Sequence, residues 1–326
     1  MKFLICLTAL LIFSVSKGQE THQNIDAENT VVFIIQGSGE EWIKNSAQIA
    51  KGTFTLLGVP QANFVYSPKF QSDKYLSPSE INDRFQTSIN DLKEKAREGG
   101  KQIVMLLIGH GTKDGRLLVS DHSGDHKVFL SYEELQKIQR QVLKDNQIIT
   151  ISTACFSGQI GETCRDTSDM TLTAASANQE AFWAPLQWRG LKYDSYEAFF
   201  FHFFSALRGY TPYNRVKINA DMNGDGLISY FEAFMHAEKQ PLTGRTDNRG
   251  KPLRTSDGDE VKPSKPAAFF RNNDILWADL IPCIDTQKKN YFSQIELLAQ
   301  ELERSGAFDA ARELRLKIRD SEKGFD

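Results

Sequence analysis

Two stretches of the sequence end in residues able to do covalent chemistry. Ile103-Val104-Met105-Leu106-Leu107-Ile108 leads into Gly109-His110-Gly111, and the apolar run from Gln147 to Thr153 leads into Ala154-Cys155. A thiol attacks a peptide carbonyl efficiently only as its thiolate, and an adjacent imidazole supplies the base and later protonates the leaving amine. His110 and Cys155 lie 45 positions apart, room for one strand–helix–strand passage, so the pair can converge if the two strands are neighbours. The glycines flanking His110 let the backbone turn sharply and approach a substrate closely. The backbone N–H groups of Gly111 and Cys155 would then stabilise the oxyanion of a tetrahedral intermediate. Singly, such a cysteine is usually a small buried residue and such a histidine a turn residue. Their occurrence at matching strand ends points to a cysteine nucleophile.

A second constellation, Asp221-Met222-Asn223-Gly224-Asp225-Gly226-Leu227-Ile228-Ser229-Tyr230-Phe231-Glu232, has the spacing of an EF-hand-type calcium loop. Asp221, Asn223, Asp225 and Ser229 offer oxygen side chains, and Gly226 permits the sharp turn. Leu227 offers its carbonyl, and Glu232 a bidentate carboxylate. One Ca2+ ion is expected. The motif is single and Thr211 to Ile218 reads poorly as a helix, which favours a structural clip over a paired sensor. Extracellular calcium would fill even a site of about 0.1–1 mM affinity.

The surrounding elements must position these residues. Val31-Val32-Phe33-Ile34-Ile35 before Gly37-Ser38-Gly39 reads as a buried strand and turn, followed by a helix from Glu41 to Leu57. Ala62 to Tyr66 is a weaker strand. Ser77-Pro78-Ser79-Glu80 is a capping box with Pro at the first helical position, and its helix should stop near Gly99-Gly100. A hairpin (Arg116 to Ser120, Val128 to Leu130) precedes a second capping box, Ser131 with Glu134, and a helix to about Lys144. Met170 to Ala175 reads as a strand and Asp194 to Leu207 as an aromatic-rich helix. This alternation predicts an α/β fold with a mostly parallel sheet and helices on both faces, whose chemistry lies at the carboxyl ends of the strands. Residues 25–240 form the expected main domain. Residues 241–268, with few large apolar side chains, read as a linker, and 269–326 as a helical C-terminal segment built on Ile295, Leu298, Leu302, Ala311, Leu314 and Ile318.

The chain starts Met1-Lys2-Phe3 and runs apolar to Phe13 before Ser14, Ser16 and Gly18. This is the pattern of a cleaved secretory signal over residues 1–18, too short to span a bilayer. A secreted or periplasmic protein without a membrane span is expected after cleavage. Loss of Lys2 and Lys17 moves the net charge from −3 to −5, which gives no overall attraction for nucleic acid. Cys6 leaves with the signal, and Cys155, Cys164 and Cys283 remain. An odd number leaves a free thiol or an intermolecular partner. A Cys164–Cys283 pair would leave Cys155 free, although spacing alone does not fix the connectivity.

Leu107-Ile108-Gly109-His110-Gly111, Ser152-Thr153-Ala154-Cys155-Phe156-Ser157-Gly158 and the turn Gly37-Ser38 together resemble the legumain-like, caspase-fold (clan CD) cysteine peptidases. Thr173-Ala174-Ala175-Ser176-Ala177-Asn178-Gln179-Glu180 is similar to that family's substrate-binding strand and loop. The likeness covers about residues 29 to 208. It implies a caspase-like fold and a peptide or protein substrate, cut with narrow preference at P1, the residue before the scissile bond. It also implies pocket residues at Lys44, Thr153, Ser176, Asn178 and Glu180. Legumains have an acidic residue where this chain has Thr153, and an arginine whose nearest match here is Lys44. Their asparagine preference therefore does not transfer. The other readings are a catalytically silent binding protein of the same fold, a transamidase or ligase using the same acyl-enzyme, and a calcium-binding scaffold protein. The last leaves the His-Gly and Ala-Cys strand ends unexplained. The oligomeric state is open.

Overall fold

The computed structural model describes residues 27–67, 76–97, 101–120, 126–142, 146–181, 183–188, 191–211, 216–222, 227–240 and 264–271. The expected signal segment, Cys283, the expected helical segment beyond 271 and most of the expected linker lie outside the described residues. In chain order the elements are β1 (Thr30–Gln36), α1 (Glu41–Leu56), β2 (Phe64–Ser67), α2 (Pro78–Ala96), β3 (Gln102–Ile108), β4 (Gly111–Thr112), β5 (Arg116–Ser120), β6 (Lys127–Ser131) and α3 (Tyr132–Val142). There follow β7 (Gln147–Ser152), α4 (Gly158–Thr163), β8 (Met170–Thr173), β9 (Trp183–Trp188), β10 (Leu191–Glu197), α5 (Ala198–Arg208), α6 (Tyr230–Glu238) and β11 (Ala267–Phe270).

The central sheet has the order β11-β8-β7-β3-β1-β2. Its strands are parallel except β11, which is antiparallel to β8. β1 and β3 are continuous apolar runs because both faces of the sheet are covered. Val32, Ile34, Val104, Leu106, Ile149 and Ile151 pack with side chains of α1, α5 and α6. Their alternates Val31, Phe33, Ile35, Ile103, Met105 and Leu107 pack with α2, α3 and α4. The expected α/β class is thus realised. Both capping boxes form: Glu80 N–H donates to Ser77 Oγ at 3.3 Å, and Glu134 N–H to Ser131 Oγ at 3.1 Å. The phenylalanine-rich α5 has Phe199, Phe200, Phe203 and Phe204 fully buried, each contributing about 1.5–3 kcal/mol by burial.

Two expectations change. The aromatic helix begins at Ala198, not Asp194, because the chain before it pairs with β9 as a hairpin. Glu197 ends the strand and caps the helix, its Oε2 accepting Phe200 N–H at 2.7 Å. The linker boundary also moves: residues 267–270, placed by composition in the linker and tail, belong to the sheet as β11. Phe269 of β11 lies against Gly161 of α4, where a Cβ would collide with its ring. Arg271 closes the strand with an ion pair of 2.5 Å to Asp169 at the head of β8. Asp169 is buried, and its Oδ2 accepts Ile148 N–H at 2.7 Å.

Arg271→Ala would leave that carboxylate buried without its cation. Destabilisation of about 3 kcal/mol is expected in urea unfolding. A change below about 0.5 kcal/mol would mean that the pair is effectively solvated.

Candidate active site

The chain leaves β1 toward β2 on one side and later places β3 on the other, so the crevice between the carboxyl ends of β1 and β3 is a topological switch point. Gly37 and Gly109 meet there backbone to backbone. A Cβ on Gly37 would stand 2.6 Å from Leu118 O and 2.9 Å from Gly109 Cα. Gly37 N–H donates to Ile108 O at 2.6 Å, and its carbonyl accepts Ser120 N–H at 2.7 Å. This contact draws the Ser38–Glu40 turn over His110. Glu40 Oε1 lies 2.9 Å from His110 Nε2, while Glu40 Oε2 accepts the Trp42 indole N–H at 2.8 Å. The Trp42 ring meets the imidazole edge to face, with centroids 5.3 Å apart. Partial burial pushes the Glu40 carboxyl up, but hydrogen bonds from Trp42, His110 and Ser38, with the charge of His110, hold it below the usual value. Glu40 and Trp42 were absent from the sequence candidates. The signal available was an acid placed just past a glycine turn at the end of a buried strand.

Cys155 follows β7, the neighbour of β3. Phe156, next in sequence, has φ 57°, a left-handed conformation that costs a non-glycine residue about 1–3 kcal/mol. It is held by a 2.7 Å bond from Phe156 N–H to Gln179 O. Gly158 fixes the following turn, since a Cβ there would collide with Ala177 N. Gly111 lies so close to Cys155 that any side chain would strike the Cys155 carbonyl. Its N–H pulls the thiol pKa down. Among the described residues the Cys155 N–H has no acceptor, which leaves two donors beside the sulfur for an oxyanion.

The thiol donates to Ala181 O at 3.6 Å, and the Cys155 and His110 side chains are not hydrogen-bonded to each other. Burial above all pushes the thiol pKa up, and the carboxylates of Glu180 and Glu197 add to this. Bonds with Ala181 and Gly111 pull it the other way. The resting Cys155 side chain is therefore a neutral thiol. Cys164 is a separate, fully buried free thiol, pushed up to about 12 by burial, with Tyr132 O 3.9 Å from its sulfur. It is not bonded to Cys155.

The expected pocket residues divide. Thr153 is buried, and its hydroxyl bridges to the end of β3, accepting Gly109 N–H at 3.2 Å and lying 3.4 Å from Leu107 O. It steadies the backbone beside His110. Ser176 Oγ bonds within its own loop, 3.0 Å from Asn178 Oδ1 and 2.9 Å from Gln179 Oε1. Exposed Glu180 is the loop residue whose charge reaches the thiol. Lys44 stands half-buried in the first turns of α1. Ser46, two residues on, accepts Glu197 N–H at 3.2 Å.

In the calcium motif, Glu232 accepts Met222 N–H and Ser229 N–H, each at 2.8 Å, and donates its own N–H to Ser229 Oγ at 3.1 Å. The loop's two ends are therefore drawn together. The Ser229–Glu232 pair is also the capping box of α6, so it starts a helix with or without an ion. Every side-chain donor of the motif is a hard oxygen, so the residues fit Ca2+. Asn223 and Asp225 lie outside the described residues. Among those described, no group of three or more His, Cys, Asp or Glu is placed to hold a metal.

No protein-family model matches the chain, and no curated protein matches it. Among solved structures, a secreted C11 cysteine protease from Bacteroides thetaiotaomicron, bound to an irreversible peptide inhibitor, has a TM-score of 0.28 at 9% identity. That match covers 47% of this chain and 50% of that one. Raptor from Chaetomium thermophilum has a TM-score of 0.29 at 11% identity, covering 48% of this chain and 16% of that one. The chain thus spans half or less of either protein. Scores at this level fix no activity, and the chemistry of the site rests on its own residues.

Because the thiol is neutral and its pKa raised, alkylation of Cys155 by iodoacetamide should climb about tenfold per pH unit from 7 to 9, without a plateau. Glu180→Gln should speed it at fixed pH. Peptide mass spectrometry measures both. A plateau below pH 8 would show a preformed thiolate instead.

Proposed function

We infer that the chain is a secreted, caspase-like cysteine endopeptidase that works through Cys155 and His110. The observation that carries this reading is the placement of the two residues at the carboxyl ends of adjacent parallel strands, with Gly111 packed against the Cys155 backbone. In the proposed reaction the thiol leaves Ala181 O and gives its proton to the imidazole. The thiolate attacks the scissile carbonyl, whose oxygen takes up the electron pair against the N–H groups of Gly111 and Cys155. His110 returns the proton to the departing amine as the C–N bond breaks. Water, deprotonated by the same imidazole, then opens the thioester and regenerates the thiol. Glu40 takes no proton in this sequence. Its carboxylate holds Nε2 and keeps the ring oriented.

One observation favours the second reading, a silent binding protein of the same fold. The resting thiol is bonded to a carbonyl, and its pKa is raised rather than lowered. A calcium ion held by Asp221, Asn223, Asp225, Leu227, Ser229 and Glu232 would neutralise clustered carboxylates and clip the start of α6 to the loop before it.

The test is a cleavage-site profile of residues 19–326 on a peptide mixture, read by mass spectrometry. Cuts that vanish in Cys155→Ala and weaken about tenfold in kcat, with KM kept, in Glu40→Gln are expected. Absence of Cys155-dependent cutting under reducing conditions with calcium present would favour the silent protein. Separately, chelation should lower the melting temperature by about 3–6 °C, and Asp225→Asn should remove that response. An unchanged melting curve would reduce the motif to a helix cap.

A further inference from the structure

Away from Cys155, α2, α3 and the β5–β6 hairpin enclose a cavity of about 440 Å3 that opens to solvent. Its apolar lining comes from Phe85 and Ile89 of α2, Val119 and Leu130 of the hairpin and Ile138 of α3. Phe129, also in the lining, is left 39% exposed. Lys93 and Lys137 stand on opposite walls, and no described ion pair engages either one. Of the lining acids, Glu134 turns its carboxylate to Ser131 N–H at 2.9 Å in its own helix cap. Asp83 comes ten residues before Lys93, about 15 Å away along α2. The hairpin wall also holds the histidine loop. Leu118 N–H donates to His110 O at 2.8 Å and Ser120 N–H to Gly37 O at 2.7 Å, with Val119 between them in the cavity wall.

We propose that this groove seats the chain's own segment 291–304, docked as a helix that braces the hairpin behind His110 and leaves the crevice at Cys155 open. Tyr291, Ile295, Leu298 and Leu302 recur at helical spacing, the anchor pattern of a helix laid in an apolar groove. Charge favours the same segment. Within it Glu296, Glu301 and Glu303 stand against Arg304 alone. On a helix, Glu301 flanks the apolar stripe on one side and Glu303 on the other, which sets acids toward Lys93 on α2 and Lys137 on α3. The second apolar stripe of the tail, Ala311, Leu314 and Ile318, travels with Arg312, Arg315, Lys317 and Arg319. It would bring an excess of cations to the two lysines. The groove is also within reach. Phe269 packs on α4, on the sheet face that carries α2 and α3, and α3 packs against both of its neighbours. At most two interhelical spacings, about 20 Å, separate α4 from the groove, whereas residues 272–290 could span about 60 Å when extended.

The experiment treats residues 19–326 with a carbodiimide, which joins an amine directly to a touching carboxylate. The protein is an equal mixture of unlabelled and heavy-nitrogen chains, and the products are mapped by mass spectrometry. Lys93 or Lys137 joined to Glu296, Glu301 or Glu303 of the same isotope is the expected result. Hydrogen exchange supplies a second readout, and neither readout depends on turnover. In Leu298→Asp/Leu302→Asp, amides of 84–93 and 116–120 should exchange about tenfold faster. Unchanged protection of β3 and β7 would show that the fold is kept. Lys93→Glu/Lys137→Glu, on solvent-facing side chains, should give a smaller acceleration of about threefold, and adding Glu301→Lys/Glu303→Lys should restore protection. Cross-links of mixed isotope would assign the groove to a second copy and overturn docking within one chain. No cross-link from 291–304 to either lysine, with exchange unchanged in the variants, would overturn the proposal outright.

Discussion

The active centre depends on a contact between two backbones that tolerates no side chain. Gly37 and Gly109 touch at the crevice between β1 and β3, and this steric condition lets the turn after one strand fold over the histidine after the other. With a β-carbon at either position the two loops would separate and Glu40 would lose its reach to His110. Gly111 repeats the condition one strand over, against the Cys155 carbonyl. The three glycines therefore act together as spacing elements. They set how near the carboxylate, imidazole and thiol can come, while the parallel sheet beneath them fixes the order in which they stand.

The electrostatics of the centre are lopsided. Glu40 holds the imidazole, while Glu180 and Glu197 act on a thiol that burial already keeps neutral. A cysteine poised by an adjacent imidazolium would be reactive toward any small electrophile. A neutral one bonded to Ala181 O is guarded until a substrate rearranges the site.

The sheet was legible from sequence wherever a strand is buried on both faces, because Val31–Ile35 and Ile103–Ile108 are unbroken apolar runs that admit few other readings. Capping boxes at Ser77 and Ser131 were equally plain, since the chemistry that satisfies a helix start is local. His110 and Cys155 could be placed because each ends such a strand. The features that escaped depend on distant partners. Ala267–Phe270 has no turn signal or alternation of its own and becomes a strand only through β8. Tyr196 and Glu197 precede a phenylalanine run that suits a helix, yet pairing with β9 decides their conformation. Glu40 becomes notable only once Gly37 and Gly109 touch. In the calcium motif, Ser229 and Glu232 satisfy a metal-loop pattern and a helix cap at once, so the same residues support two physical explanations.

The return of the chain at β11 bears on its covalent continuity. Residues 267–270 rejoin the sheet after the segment 241–263, held by the ladder to β8, by Phe269 against Gly161 and by Arg271 on Asp169. A single peptide-bond break between 240 and 264 would therefore not by itself release the C-terminal piece. The molecule would persist as two polypeptides sharing one sheet, the smaller donating an edge strand to the larger, with Cys155 and His110 undisturbed on the larger piece.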